Sequence, residues 1–372
     1  MAKYKLGDIC EIVSGCTPKT GIDEYWNGDI KWITPAELSD ESYVISDSVR
    51  KITDLAVIKT GMTLLPEGTV LLSSRAPIGK VAIAGCKMYC NQGFKNLICS
   101  DIINNKYLYW FLKGNTAFLN SLGRGATFKE ISKSIVSEIE INVPDMQEQE
   151  KAVANLEKIN KVIAFRKREL ELLEDLISAR FVELFGDAIH NDKGWETDTV
   201  EKLCKEIYGG GTPSKSHPEY YEEGDIPWVS SKDMKTDVLT DSHIKINQLG
   251  VDNSTARMVP INSVIMVIRS GILKHTLPVA INAVPITVNQ DLKVFIPNER
   301  VLTRFLAVQF KMHEKDILSG VRAVTADNIE FNSLKQRKLI VPPIKLQQEY
   351  VTFLEQIDKL KLATSPQTTL AA

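Results

Sequence analysis

The chain has no apolar run approaching the roughly twenty residues of a membrane-spanning helix, and its start lacks the charged, apolar and small-residue order of a secretory leader. Both absences make a cytoplasmic location the expectation, with no membrane partner. Cysteine is scarce. Of Cys10, Cys16, Cys86, Cys90, Cys99 and Cys204, only Cys86 and Cys90 approach a metal-ligand spacing, and no second pair completes a site. Neither a metal nor a cofactor is expected. Charge of one sign is missing too: 45 basic and 47 acidic residues leave a formal net charge of −2. A nucleic-acid partner would therefore have to be met by local basic patches and not by a bulk positive field.

Catalytic signatures are also absent. An adenine methyltransferase needs an acid or amide, two prolines and an aromatic to hold a flipped base, with a glycine-rich turn for its cofactor. Val341-Pro342-Pro343-Ile344 lacks both the acid or amide and the aromatic, and Gly209-Gly210-Gly211 runs into Thr212-Pro213 where a cofactor turn would open a helix. A phosphate-binding loop fails as well, because Gly79-Lys80 is followed by Val81 and has no glycine five residues earlier.

What the chain does have is itself, twice. Its 372 residues, 44% hydrophobic, suffice for two domains with separate cores. "TPKTGIDEYWNGDIKWITPAEL" from Thr17 returns as "TPSKSHPEYYEEGDIPWVSSKDM" from Thr212. Trp32 answers to Trp228, Arg75 to Arg269, and Lys80 to Lys274. Asn91-Gln92 answers to Asn289-Gln290, Lys95 to Lys293, Arg124 to Arg322, and Thr127 to Thr325. Each half closes on a short apolar strand ended by proline, "INVPDMQEQE" from Ile141 and "LIVPPIKLQQ" from Leu339. The repeat also argues against a nuclease cation held by Asp145 and Glu150, since Asp145 falls opposite Pro343.

The bodies, about residues 3 to 144 and 197 to 342, read as mixed α and β. Strands are expected at Val70 to Ser73, Val81 to Ala84, Val264 to Ile268 and Ile286 to Val288, and helices at Tyr107 to Leu122 and Leu302 to Leu318. From Gln147 to about Phe185 there is neither glycine nor proline. Leu156, Ile159, Ile163, Leu170, Leu173, Ile177 and Leu184 recur there at coiled-coil steps. A shorter helix with Leu354 and Ile357 follows the second body and gives way near Thr364 to a frayed tail. The fold class is thus α+β: two repeated mixed globules separated by long antiparallel coiled-coil helices under a pseudo-twofold axis. Divided, the chain reads as residues 1–146, first globule; 147–187, central long helix; 188–342, second globule; and 343–372, shorter helix and tail. With the repeat setting Leu156, Ile159 and Val162 against Leu354, Ile357 and Leu360, the short helix would leave Leu170, Leu173, Ile177 and Leu184 partly uncovered within the chain.

The ordered set of Gly-x-Thr-Pro, Tyr-Trp or Tyr-Tyr, Gly-Asp-Ile-x-Trp, an apolar strand with arginine and lysine, Asn-Gln, and a Val-Pro exit into a helix ending "RFVELFGD" resembles the specificity subunits of Type I restriction-modification systems. It covers nearly the whole chain. The resemblance implies a non-catalytic subunit whose two target-recognition domains each read half of a split double-stranded DNA site. It also implies partner adenine methyltransferase subunits and restriction subunits that carry the motor and nuclease. Departures are Leu273 opposite Gly79, Tyr221 opposite Trp26, and the short last helix. A specificity subunit of a related Type II system with a fused methyltransferase-nuclease partner is one alternative, and a stand-alone restriction nuclease another.

Site residues follow from what DNA offers. Arginine fits the guanine O6/N7 edge or a phosphate, glutamine fits adenine, and lysine serves phosphates. Arg75 and Arg269 follow apolar strands and precede turns, so they project from rigid elements, phosphate being the favoured contact. Lys80, Lys274, Gln92, Gln290, Lys95, Lys293, Arg124 and Arg322 complete the repeated set, and Ser230 and Lys232 add to the second half. Trp32 and Trp228 read as core anchors, and Thr17 and Thr212 as turn formers that touch nothing specific. Leu156, Ile159, Ile163, Leu170, Leu173, Ile177, Leu354 and Ile357 are the helix-packing set, open to a partner or to self-association. Arg166-Lys167-Arg168 reads as a solvated helix face beside Glu169 and Glu171.

Overall fold

A computed structural model describes residues 2–125, 129–320, 322–323 and 327–364. The chain divides into two compact units, Met1–Ala164 and Phe165–Ala372.

The first unit holds β1 (Cys10–Ser14), β2 (Trp26–Ile33), β3 (Val70–Ser73), β4 (Val81–Ala84), β5 (Phe94–Cys99), α1 (Asn105–Gly114) and the first part of α2 (Met146–Phe185), which ends in the second unit. The main sheet runs β1, β5, β3, β4, with Val44–Ile45 joined parallel at the edge and the other pairings antiparallel. β3 and β4 are buried along their whole length, as their unbroken aliphatic runs require of central strands. One sheet face packs against α1 through Leu108 and Leu112, and β2 leads a smaller sheet with Lys51–Ile52 and Tyr89–Cys90.

The second unit repeats this with β6 (Cys204–Gly209), β7 (Ile226–Val229), β8 (Val264–Val267), β9 (Val279–Asn282), β10 (Leu292–Pro297), α3 (Thr303–Met312) and α4 (Ile344–Thr364). Its sheet order β6, β10, β8, β9, with Val238–Leu239 at the edge, matches the first strand for strand. The helices expected at Tyr107 to Leu122 and Leu302 to Leu318 each break once, at Asn115 and at His313. The tail after Thr364 lies outside the described residues, as do Thr127 and Thr325.

Each unit is closed by a strand pair and locked by one glutamine. Ala2–Lys5 pairs antiparallel with Glu140–Val143, and Thr197–Thr199 with Lys338–Ile340. Five residues after each closing proline a fully buried glutamine fixes the helix that follows. The Gln149 carboxamide accepts from the Asn104 N–H at 2.8 Å and donates to the carbonyls of Ile102 at 3.0 Å and Pro144 at 2.9 Å. Gln347 accepts from the Leu302 N–H at 2.9 Å and donates to Arg300 at 3.0 Å and Pro342 at 2.8 Å. A buried carboxamide with its bonds made rigidifies the exit angle of the helix.

The sequence-based pairing of the helices needs correction. Within the second unit α4 runs antiparallel to the end of α2: Glu349 meets Arg180 at 2.7 Å, the Tyr350 hydroxyl donates to the Ile177 carbonyl at 3.0 Å, and Lys361 reaches Glu174 at 2.5 Å. Antiparallel helices pair start with end, so the short helix covers the distal part of the long one. Ile177 and Leu184 therefore pack on the core, and Leu170 and Leu173 are half-buried, where the repeat suggested a gap. Leu354 and Ile357 are buried, whereas Leu156, Ile159 and Ile163 of the expected packing set are exposed, as are Val162, Phe165, Leu172, Leu176 and Val182 of the same helix. Arg166 and Arg168 pair with Glu169 and Glu171 at 2.8 and 2.9 Å, one turn on, as a solvated helix face does. No helix among the described residues is long and apolar enough to cross a membrane.

Candidate nucleic-acid interface

In both units the residues of three distant motifs converge where the central strand of the main sheet ends. β3 stops at Ser73, whose N–H donates to the Lys80 carbonyl at 2.9 Å and whose hydroxyl accepts from the Lys80 N–H at 2.8 Å, closing a tight loop. Ser74 then turns its N–H and its hydroxyl onto the Gly93 carbonyl, at 2.8 and 3.0 Å. Arg75 is thereby set beside Asn91-Gln92. Its guanidinium lies 4.0 Å from Glu130, and the same carboxylate takes Lys95 at 3.0 Å. Glu130 exchanges backbone bonds of 3.0 Å with Arg124, which places exposed Arg124 next to this cluster.

The second unit holds its arginine by another route. Arg269 donates through Nε and Nη2 to Asp291 Oδ1, each at 2.6 Å. Asp291 falls opposite Gly93 in the repeat, and Asn328 falls opposite Glu130 and pairs through its backbone with Arg269. Lys293 lies 4.6 Å over the Phe331 ring, and burial lowers its pKa. The Arg322 backbone belongs to a short strand, Arg322–Ala323, and its side chain lies outside what is described.

A second convergence is duplicated more closely. The Trp32 indole donates to the Cys16 carbonyl at 2.9 Å, and the Trp228 indole to the Gly211 carbonyl at 2.9 Å. Each acceptor immediately precedes the Thr-Pro pair. Cys16 N–H donates to the Cys90 carbonyl at 2.9 Å, and Gly211 N–H to the Val288 carbonyl at 3.0 Å, in both cases the residue before Asn-Gln. Gly15 and Gly210 make this approach possible, because a Cβ at either would collide with the carbonyl of Asn91 or of Val288. Beyond the close approach, the Thr17 hydroxyl donates to Gln92 Oε1 and the Thr212 hydroxyl to Gln290 Oε1. Trp32 and Trp228, 2% and 7% exposed, are core anchors as expected.

The other sequence-derived residues fall into two groups. Arg75, Gln92, Arg124, Arg269, Lys274, Gln290 and Lys232 keep exposed or half-exposed side chains. Lys95, 8% exposed at its side chain, is turned inward, since a lysine at this buried strand position needs a carboxylate partner. Lys80 is half-buried and donates to the Leu38 carbonyl. The Ser230 hydroxyl and N–H both reach Asp233 Oδ2, at 2.8 and 2.9 Å, shaping a turn as Thr34 does with Glu37. Sequence reasoning missed Glu130 and Asp291. Neither carboxylate repeats, so a search for repeated residues passes over both.

Chemically, each unit offers an arginine held by a carboxylate at a strand end and a glutamine held by a threonine beside it. Arginine offers a bidentate fork and glutamine a carboxamide, the two groups that read base edges or grip phosphates.

The family model for the Type I restriction modification DNA specificity domain matches residues 1–175 and again 192–369. The specificity subunit of the Type I restriction enzyme MjaIX of Methanocaldococcus jannaschii is 31% identical over 376 residues, covering 95% of this chain and 85% of that protein. The EcoR124I/EcoR124II specificity subunit of Escherichia coli is 33% identical over 261 residues, 68% of this chain and 63% of the relative. Among solved structures, the Type I restriction-modification S subunit from M. genitalium superimposes with a TM-score of 0.58 at 14% identity, covering 98% of this chain and 90% of that one.

Proposed function

Because the chain belongs to the Type I restriction-modification DNA specificity family and serves as a DNA-sequence-recognition subunit, we propose that each of its two units reads one half of a bipartite target. The observation that carries this reading is the duplicated convergence of Thr, Trp, Arg and Gln at the same strand end of both units. One reader per half-site explains why a protein would repeat so particular a constellation. Residues 1–146 and 188–342 are the proposed readers, 147–187 the spacer, and 343–372 its shorter partner. Arg75, Gln92 and Arg124 face DNA in the first, and Arg269, Lys274, Gln290 and Lys232 in the second. Lys80, Lys95 and Lys293 support them from within.

The chain by itself neither methylates nor cuts; in this reading it positions partner subunits that do. The exposed apolar stretch Leu156, Ile159, Val162, Ile163 and Phe165 is the proposed seat of a methyltransferase subunit, since apolar side chains at helical spacing invite another helix. Restriction subunits join the assembly for cleavage.

The reading is tested at Arg75. Arg75→Ala will weaken binding of the assembled complex to specific and nonspecific duplexes alike and lower the salt dependence by about one unit, as loss of one phosphate contact does. If Arg75 instead reads guanine, discrimination at one base pair will fall by about 1–3 kcal/mol with the salt slope unchanged. Unaltered affinity and slope would remove Arg75 from the interface. Arg269→Ala will act in the same way on the other half-site.

A further inference from the structure

We infer that Thr17 and Thr212 are positioning residues for DNA recognition, each aiming the carboxamide of its partner glutamine at a hydrogen-bond acceptor on the DNA. This deepens the reading of the two units as DNA readers and rests on it.

A threonine hydroxyl has one proton, and in both units it goes to the glutamine Oε1. With its oxygen engaged, the carboxamide can no longer rotate freely between two equivalent orientations. Its Nε2 has no protein partner among the described residues, and both glutamines are exposed. Each unit therefore presents a pair of N–H donors in a fixed direction beside an arginine, Arg75 in one and Arg269 in the other. Donors alone suit an acceptor: a phosphate oxygen, or a base-edge acceptor such as guanine O6 and N7 or thymine O4. Adenine, which needs both a donor and an acceptor from a glutamine, suits this orientation less.

The threonine is itself held in place. Its preceding carbonyl takes the indole N–H of a buried tryptophan, and the backbone N–H of that same preceding residue is bound to the strand that leads into Asn-Gln. Three sequence motifs separated by up to about eighty residues, Thr-Pro, Gly-Asp-Ile-x-Trp and Asn-Gln, thus form one device, and it occurs in both units. A hydroxyl whose only task was to shape a turn would bond its own loop. Here it bonds a side chain 75 residues away in one unit and 78 in the other.

The test uses the complete complex of this chain with its methyltransferase and restriction partners, with methylation rates measured on its target duplex and on duplexes altered one base pair at a time. Thr17→Val will slow methylation roughly tenfold, the scale of one side-chain contact to DNA. Gln92→Ala will do the same, and the double variant will be no slower than Gln92→Ala alone, because the two side chains act as one unit. Thr17→Ser will retain the wild-type rate. Relaxed preference at one base pair of the first half-site identifies a base as the acceptor, and an equal loss on all duplexes identifies a phosphate. Thr212→Val and Gln290→Ala will act on the other half-site. Melting temperatures of the single variants will match wild type. A wild-type rate for Thr17→Val, additive losses in the double variant, failure of serine to restore, or a rate loss that merely tracks a lowered melting temperature would each overturn the inference. If the wild-type complex methylates a bipartite motif and Thr17→Val is silent, only this inference fails; if no bipartite motif is methylated, the reading beneath it fails.

Discussion

The complex assembled on a chimera in which residues 1–146 are exchanged for the corresponding unit of a relative will methylate a target with one half wholly new and the other half unchanged. Each unit buries its own core, one around Leu72, Leu97 and Leu108, the other around Val264, Val294 and Phe295. Each is also closed by its own strand pair, Ala2–Lys5 with Glu140–Val143 and Thr197–Thr199 with Lys338–Ile340. The proposed join lies at the start of α2, after the closing proline and before Gln149. The contacts to preserve across it are those of Gln149 with Ile102, Asn104 and Pro144, and those of Glu157 with the Tyr43 hydroxyl at 2.5 Å and Lys106 at 3.0 Å. Sequencing of methylated adenines in a host carrying the chimera reads the outcome. Change in both halves would show that the units do not read independently.

Tyr350→Ala will destabilise the second unit by about 3–5 kcal/mol, the range for removing a fully buried aromatic side chain. Tyr350 is 0% exposed and stands edge-on to Phe181 and Phe185, with ring centroids 5.6 and 5.5 Å away. Phe305 of α3 completes the cluster, 4.9 Å from Phe185. The ring therefore joins three helices, and burial pushes its phenol well above the ordinary range. Its hydroxyl donates to the Ile177 carbonyl at 3.0 Å, so Tyr350→Phe will cost only about 1 kcal/mol. In a unit of this size the alanine variant will melt roughly 6 to 20 °C lower. Calorimetry of both variants checks this. Equal losses for alanine and phenylalanine would show that the hydrogen bond, and not the aromatic packing, holds α4 against α2.

Most of the fold was legible because the chain repeats. A strand inferred once, such as Val70–Ser73, is inferred again at Val264 to Ile268; the observed strands, Val70–Ser73 and Val264–Val267, are both buried throughout. The long helix was readable from its uninterrupted composition, and its observed span, Met146–Phe185, differs from the expected one by a single residue at its start. Helix pairing was not readable in the same way. Heptad spacing says that a face is apolar and is silent about which partner covers it; the antiparallel orientation was expected, but matching the helices residue for residue by the repeat put the short helix over the first half of the long one when it covers the distal half. The candidate site divides along a similar line. Arg75 and Arg269 could be found as repeated cations after apolar strands. Glu130 and Asp291, the carboxylates that hold them, come from different positions in the two units, so the ion pair is duplicated while its residues are not. Thr17 was read as a turn former because nothing in its neighbourhood along the chain points to Gln92, and only the fold brings the two together.

Two readers for two half-sites is the central claim, and mapping methylated adenines tests it most directly. The chromosome of a host carrying this gene with its partner genes would be compared with that of the same host lacking only this gene. The account predicts one methylated motif of two specific half-sites around a spacer of fixed length, absent from the deletion. A continuous motif, or methylation that persists without this chain, would contradict it.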